Sequence, residues 1–267
     1  MNQHFSIDNF EKIKEFIYRK TGISIDYKTS YKKLNDHIKD FKDYFFKLRF
    51  DDENGIEFQK LINLITNNDT YFYREKEQFE ILVKYILPEL DKIVPKSKPI
   101  RILSAPCSSG EEVYSILIYI LEKSDILKDR KIEIIGADIN SDIIQKAYNG
   151  VYNDKSMELL PADVRTSYFT KITDGYKVDE NLKKYVDFKT LNLFDKDEIV
   201  ELGKFDLILS RNMLVHFDEI SRKAMAMNFY EILNDNGFIL LGDAEHMSRI
   251  VPIFNTTKID GVFVHKK

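Results

Sequence analysis

The stretch Ile100-Arg101-Ile102-Leu103-Ser104-Ala105-Pro106-Cys107-Ser108-Ser109-Gly110-Glu111-Glu112 decides the fold. Its first five residues are short and mostly apolar, as in a strand. Cys107-Ser108-Ser109-Gly110 is a turn of small residues. Residues 111–122 then repeat apolar side chains at helical spacing, with acidic residues at the positive end of the helix dipole. A strand, a tight turn and a helix form half of a strand–helix–strand unit.

The rest of the C-terminal half repeats this plan. Residues 132–137 predict a second strand ending at Asp138, and residues 141–148 a second helix. Residues 185–191 and 205–210 predict further strands, residues 219–233 a helix, residues 234–237 a turn, and residues 238–241 and 261–265 the last strands. Such alternation predicts an α/β fold with a parallel sheet covered by helices on both faces. Residues 169–184 fit no strand–helix unit. The alternation Tyr176-Lys177-Val178 marks them as a small antiparallel β insertion on the sheet edge.

Upstream the period is helical. Phe10, Ile13, Phe16 and Ile17 share one face, with Asp8 suited to cap that helix and Gly22 to end it. Leu34, Ile38, Phe41, Phe45 and Leu48 predict one amphipathic helix, Phe58, Leu61, Ile62 and Ile65 a third, and residues 73–90 a fourth. Pro88, Pro95 and Pro99 break the chain before the first strand. The division expected is a helical N-terminal domain over residues 1–66 and a sheet domain over residues 67–267.

Composition narrows the function. The 267 residues hold 40 Lys plus Arg against 44 Asp plus Glu, a net charge of −4. Without a basic block, non-specific nucleic-acid binding lacks its driving force. The one cysteine, Cys107, excludes an internal disulfide framework or a cysteine zinc site. The five histidines, at 4, 37, 216, 246 and 265, have no metal-ligand spacing, so no metal is expected. Residues 1–10 lack a basic segment followed by an apolar one, and the longest apolar run, residues 116–121, is six long. A soluble cytoplasmic protein without membrane insertion is expected.

Four segments carry candidate chemistry. Ligands in open α/β sheets bind beyond the carboxyl ends of the strands. The turn at residues 104–112 has a single glycine and then two glutamates, which repel a diphosphate but suit a ligand bearing an amino group and a sulfonium. The same residues also suit a plain strand–helix turn capped by Ser. Asp138 ends the second strand, where adenosine ribose hydroxyls are gripped, and equally suits a helix N-cap before Ser141. Ser210-Arg211-Asn212 ends a central strand and faces the same crevice. Asn67-Asn68-Asp69-Thr70-Tyr71-Phe72-Tyr73-Arg74-Glu75 joins the helices to the sheet, as a site segment or as an interface plug.

These segments, in this order, resemble the chemotaxis receptor glutamate methyltransferase family, CheR. The resemblance rests on residues 68–75, residues 108–115, Ala137-Asp138-Ile139 and residues 205–217, and spans most of the chain. It implies a Rossmann-like domain binding S-adenosylmethionine, glutamates of chemoreceptor cytoplasmic domains as methyl acceptors, and a monomer. It implies cofactor contacts from Asn68, Thr70, Arg74, Glu112, Asp138, Asn192, Leu193, Arg211 and Asn212, and catalytic roles for Arg74 and His216. Glu112 takes the cofactor role rather than its neighbour Glu111. The family has Tyr at the position of His216 and reads Gly-His-Ser-Glu where this chain has Gly242-Asp243-Ala244-Glu245. Its receptor-tail-binding members have a longer loop in the β insertion, so independence from the receptor tail pentapeptide is expected. Two rivals remain: a cofactor-sensing module of little or no activity, and a methyltransferase for another acceptor class.

Overall fold

The structure is a computed structural model and describes residues 5–52 and 55–267. Four helices come first: α1 (Ile7–Thr21), α2 (Tyr27–His37), α3 (Phe41–Phe46) and α4 (Ile56–Ile65). Phe10, Ile13 and Ile17 form the buried face of α1 and pack with Leu34, Leu61 and Ile62. Gly22 ends α1 in the left-handed conformation, φ 71°, its N–H donating to the Tyr18 carbonyl at 2.8 Å.

Two expectations are corrected in this region. The cap of α1 is Ser6, whose Oγ accepts the Asn9 N–H at 3.1 Å, while Asp8 lies inside the first turn. The stripe from Leu34 to Leu48 is two helices. α2 stops at His37, Ile38 is extended, and Asp40 caps α3 by accepting the Asp43 N–H at 3.0 Å. An aspartate that captures a backbone N–H competes with helix continuation. The apolar spacing survives the break because both helices face the same core.

Beyond residues 71–76, α5 (Glu77–Ile81) runs through a π-helical segment, Leu82–Ile86, into α6 (Leu87–Ile93). This helix cannot begin at residue 73, because Tyr73 and Glu75 are left-handed at φ 59° and 50°. There follow β1 (Ile100–Ser104), α7 (Glu111–Lys123), β2 (Ile132–Asp138), α8 (Ser141–Asn149), β3 (Val151–Tyr152), α9 (Ala162–Tyr168), β4 (Phe169–Ile172), β5 (Gly175–Val178), β6 (Val186–Thr190), α10 (Lys196–Glu201), β7 (Phe205–Ser210), α11 (Glu219–Ile232), β8 (Leu233–Leu241), α12 (Met247–Ile250), β9 (Asn255–Ile259) and β10 (Val262–Lys266).

Among the described residues seven strands form one sheet in the order β6-β2-β1-β7-β8-β10-β9. The first five run parallel; β10 is antiparallel to β8, and β9 to β10. Both faces are covered. Ile102 enters a core with Phe79, Tyr114 and Leu117, while its neighbour Leu103 enters one with Ile208, Met225 and Phe229. The fold is therefore the expected α/β sheet, with an antiparallel hairpin added at one end. The chain builds one half of the sheet from β1 outward through β2 and β6, then crosses to β7 and β8. The order reverses between β1 and β7, and at such a switch point the crevice beyond the carboxyl ends takes the ligand.

Three details differ from the sequence reading. Residues 234–237 are a bulge inside β8, since Phe205 pairs with Leu233 and Leu207 with Phe238; Asn236 is left-handed, φ 64°. β9 was not anticipated, because this exposed edge strand has no buried face and hence no alternation. The insertion sheet, in the order β3-β5-β4, begins at Val151 rather than at residue 169. No helix among the described residues is long and apolar enough to cross a membrane.

Candidate functional site

The turn from β1 to α7 hangs between two strand ends. The Ala105 N–H donates to the Leu209 carbonyl at 2.9 Å, and the Cys107 N–H to the Ala137 carbonyl at 2.8 Å. Gly110 begins α7 at φ 91°, where a Cβ would stand 3.0 Å from Ala147 and 3.1 Å from Phe188. Small size is thus the requirement at this position. Cys107 is buried, and burial pushes its thiol pKa up, which fits a packing role.

Glu111 and Glu112 diverge. Glu111 is buried against the insertion, accepting Ser109 Oγ at 2.7 Å and Ser156 Oγ at 3.2 Å, and burial pushes its pKa up. Glu112 faces the crevice, where Oε1 accepts Ser104 Oγ at 2.8 Å and Oε2 accepts Arg211 Nη1 at 2.8 Å. Asp138 closes the opposite wall. Its Oδ2 accepts the Ser108 N–H at 2.9 Å and its Oδ1 the Asn140 N–H at 3.0 Å. Burial raises its pKa, and these N–H groups counteract part of that rise. Asp138 is not the cap of α8; that is Asn140, whose side chain accepts the Ile143 N–H.

Arg211 follows β7 and is 2% exposed at its side chain. It spans two carboxylates, Glu112 and Glu75, the latter reached by Nη2 at 3.1 Å and Nε at 3.3 Å, and it also donates to the Arg74 carbonyl. Asn212, left-handed at φ 57°, donates from Nδ2 to Glu75 Oε1 at 3.2 Å. Glu245 binds this loop to the end of β8: Oε2 accepts the N–H groups of Asn212 and Gly242 at 2.9 and 3.0 Å, and Oε1 that of Val215 at 3.1 Å. His216 stands exposed on the short turn Leu214–His216 beside it.

The segment before α5 lies across the crevice. The Asn68 carbonyl accepts Ser108 Oγ at 2.9 Å, and half-buried Thr70 follows. Phe72 is fully buried edge-on against Tyr152 and Phe169, while Arg74 is 32% exposed over the Tyr71 ring. Plug and site thus share one segment. Asn192 and Leu193 follow β6 beside Asp138, whose carbonyl accepts the Leu191 N–H. The Asn192 amide, however, donates to the Lys20 carbonyl at the end of α1, and Leu193 is buried. Their side chains do not join the Glu112–Arg211–Asn212 cluster.

Tyr73, Glu75, Ser108 and Asn212 are non-glycine residues with positive φ, all gathered at this crevice. Backbone strain of this kind persists where surrounding contacts over-determine it. Glu75, Gln78 and Glu245 were missed by sequence reasoning as site residues. Glu75 and Glu245 lay in the quoted stretches at residues 68–75 and 242–245, without any periodicity to say where they point, and Gln78, which donates to Glu75 Oε2, lay outside every motif.

The donor set fits S-adenosylmethionine. Carboxylates already occupy the N-terminal end of α7, which disfavours a phosphate. Asp138 presents a carboxylate able to accept from a ribose diol, and Glu112 offers negative charge to an ammonium or sulfonium.

Comparison with known proteins agrees. The family "CheR methyltransferase, SAM binding domain" matches residues 68–263. Chemotaxis protein methyltransferase 2 of Vibrio cholerae is 39% identical over 259 residues, covering 94% of this chain and 89% of that protein. The chemotaxis protein methyltransferases of Borreliella burgdorferi and Escherichia coli are 32% and 30% identical, covering 92% and 91% of this chain and 90% and 85% of those proteins. The chain belongs to the CheR family of chemotaxis methyltransferases, S-adenosylmethionine-dependent enzymes.

Proposed function

We propose that the chain O-methylates glutamate side chains on the cytoplasmic domains of chemoreceptors, acting as a monomer and without a receptor tail pentapeptide. The helices of residues 1–66 and the sheet of residues 67–267 serve as separate domains in this reading. Asn68, Thr70, Arg74, Glu112, Asp138, Asn192, Leu193, Arg211 and Asn212 contact the cofactor, Asn192 and Leu193 through their backbone. Arg74 and His216 face the acceptor.

The observation that carries this reading is the contrast between two arginines. Arg211 is enclosed and neutralised by Glu75 and Glu112. Arg74, on the same crevice, is one-third exposed, with Nε 4.0 Å from Glu75 Oε1. A guanidinium with open donors suits a carboxylate acceptor. S-adenosylmethionine, when bound, supplies a methyl group activated on a sulfonium. An ionised glutamate oxygen then needs alignment and desolvation more than a general base, because carboxylates are charged near neutral pH. The new C–O bond forms as the C–S bond breaks, leaving a methyl ester and a neutral thioether.

Independence from the tail is supported by the β4–β5 hairpin, whose turn is only Thr173 and Asp174. Gly175 follows at φ 135°, and a Cβ there would stand 2.2 Å from the Tyr152 carbonyl oxygen, so the hairpin is pressed against its neighbour. The test is transfer of labelled methyl to receptor-containing membranes, with label released by base as methanol. No transfer to any receptor overturns the glutamate reading. Tight, specific binding of a receptor tail peptide in calorimetry overturns the independence.

A further inference from the structure

Glu75 has no part in the roles above, yet three side chains of the crevice hydrogen-bond to it. Its Oε2 accepts from Arg211 Nε at 3.3 Å and from Gln78 Nε2 at 2.9 Å and pairs with Arg211 Nη2 at 3.1 Å, and its Oε1 accepts from Asn212 Nδ2 at 3.2 Å. Its side chain is 16% exposed. Adjacent residues on a regular element point apart. Here left-handed φ values at Tyr73 and Glu75 turn the Arg74 and Glu75 side chains toward the same crevice, within 4.0 Å of each other. Such a backbone is kept only where neighbouring contacts over-determine it, and those contacts are the three hydrogen bonds and the ion pair on Glu75.

The charge count gives this geometry a consequence. Arg211 carries one positive charge, and Glu75 and Glu112 each carry a negative charge on it. With Arg74, whose Nε stands 4.0 Å from Glu75, the four side chains sum to zero, and without Glu75 they would sum to +1; Arg211 and Glu112 are 2% and 13% exposed at their side chains, so solvent screens that charge weakly. We propose that Glu75 is a positioning and charge-setting residue: it locks Arg211 and Asn212 to the Arg74 segment and, with Glu112, balances the two arginines, so that the crevice carries no net positive charge to disfavour a cationic ligand relative to its neutral counterpart. The inference rests on the cofactor reading of the crevice, and extends it to discrimination between S-adenosylmethionine, which bears a sulfonium, and S-adenosylhomocysteine, which lacks that charge.

The test compares both ligands by calorimetry on the full chain and follows unliganded melting. Glu75→Gln removes the charge at nearly constant size. The expected result is a Kd for S-adenosylmethionine raised by about tenfold or more, against at most about threefold for S-adenosylhomocysteine, with a melting temperature within a few degrees of wild type. Glu75→Asp keeps the charge on a shorter arm. It should preserve the ratio of the two affinities to within about twofold, even where both weaken. Equal losses for the two ligands in Glu75→Gln, no loss in either, or a Glu75→Asp ratio shifted like that of a neutral residue would overturn the proposal. A wild-type chain that bound neither ligand would overturn the cofactor reading and this inference with it.

Discussion

The Asn212 backbone N–H donates to Oε2 of Glu245 at 2.9 Å, tying the loop after β7 to the end of β8. The same oxygen accepts the Gly242 N–H, and a Cβ on Gly242 would stand 2.8 Å from Asn212 N. Two strand ends are therefore held in contact by one buried carboxylate. Glu245→Gln presents an NH2 group to at least one of three backbone N–H donors. The loss expected is about 1–3 kcal/mol of stability, the cost of a buried donor without its acceptor. Urea denaturation measures it, and cofactor affinity should fall with it, because Asn212 and Arg211 lie on the same loop.

In the proposed cofactor site, Asp138 ties affinity to pH. Burial raises its pKa, so in the folded chain the carboxylate becomes protonated at a higher pH than an ordinary aspartate. The sign for stability follows: the raised pKa favours the folded state most below the ordinary value, and that advantage is lost as pH rises through the shifted one. Ligand binding runs the other way, since hydroxyl donors need the ionised form. Affinity for S-adenosylhomocysteine is expected to fall on acidification before ordinary carboxylates protonate. Asp138→Asn should weaken it by about tenfold or more at neutral pH and flatten that dependence, as calorimetry across pH would show.

How much of this was legible in the sequence depended on whether a residue's neighbours in space were also neighbours in pattern. The strand Ile100–Ser104 and helix Glu111–Lys123 were readable because burial imposes a period. Glu111 and Glu112 were harder, being adjacent and chemically alike. What separates them is Ser156, 45 residues on, which holds Glu111 away from the crevice. The run Leu34 to Leu48 misled because a cap at Asp40 breaks the helix without disturbing the spacing. Glu75 was least visible, since its direction is set by a left-handed backbone that no periodicity records.

His265 sets an acid limit on stability. It is fully buried on β10, with Nδ1 2.8 Å from Thr256 Oγ1, and burial lowers its pKa from 6.5 to about 4. The unfolded chain therefore takes up a proton at this position before the folded one does. Stability present above pH 6.5 is lost as pH falls toward 4, by about 3 kcal/mol for this group. His265→Gln is expected to be less stable at pH 7 but to show a shallower fall from pH 6.5 to 4 in denaturant titrations. An unchanged slope would assign the acid sensitivity to other groups.

Gly175→Ala probes the insertion sheet. The new methyl would meet the Tyr152 carbonyl at 2.2 Å, with φ in a region that side chains rarely adopt. The β3–β5 pairing at Tyr152↔Tyr176 should open, seen as faster amide exchange in residues 151–178. β2, which carries Asp138, and β7, which Arg211 follows, belong to the other sheet, so affinity for S-adenosylhomocysteine should change by less than about threefold.

Arg74 separates cofactor binding from acceptor alignment. Its guanidinium lies over the Tyr71 ring and donates weakly to the Asp69 carbonyl at 3.4 Å, leaving donors open to the crevice. Lysine keeps the charge but loses the planar fork that would align a carboxylate. A misaligned nucleophile costs rate steeply, whereas the proposed cofactor contacts of Glu112, Asp138 and Asn212 are left in place. Arg74→Lys is therefore expected to lower kcat by about a hundredfold while raising the Kd for S-adenosylhomocysteine by less than about fivefold. The measurement is methyl transfer to receptor membranes alongside calorimetry. A Kd that rises as much as kcat falls would make Arg74 a cofactor ligand alone, and the acceptor carboxylate would then need another partner on the rim, with His216 the next to test.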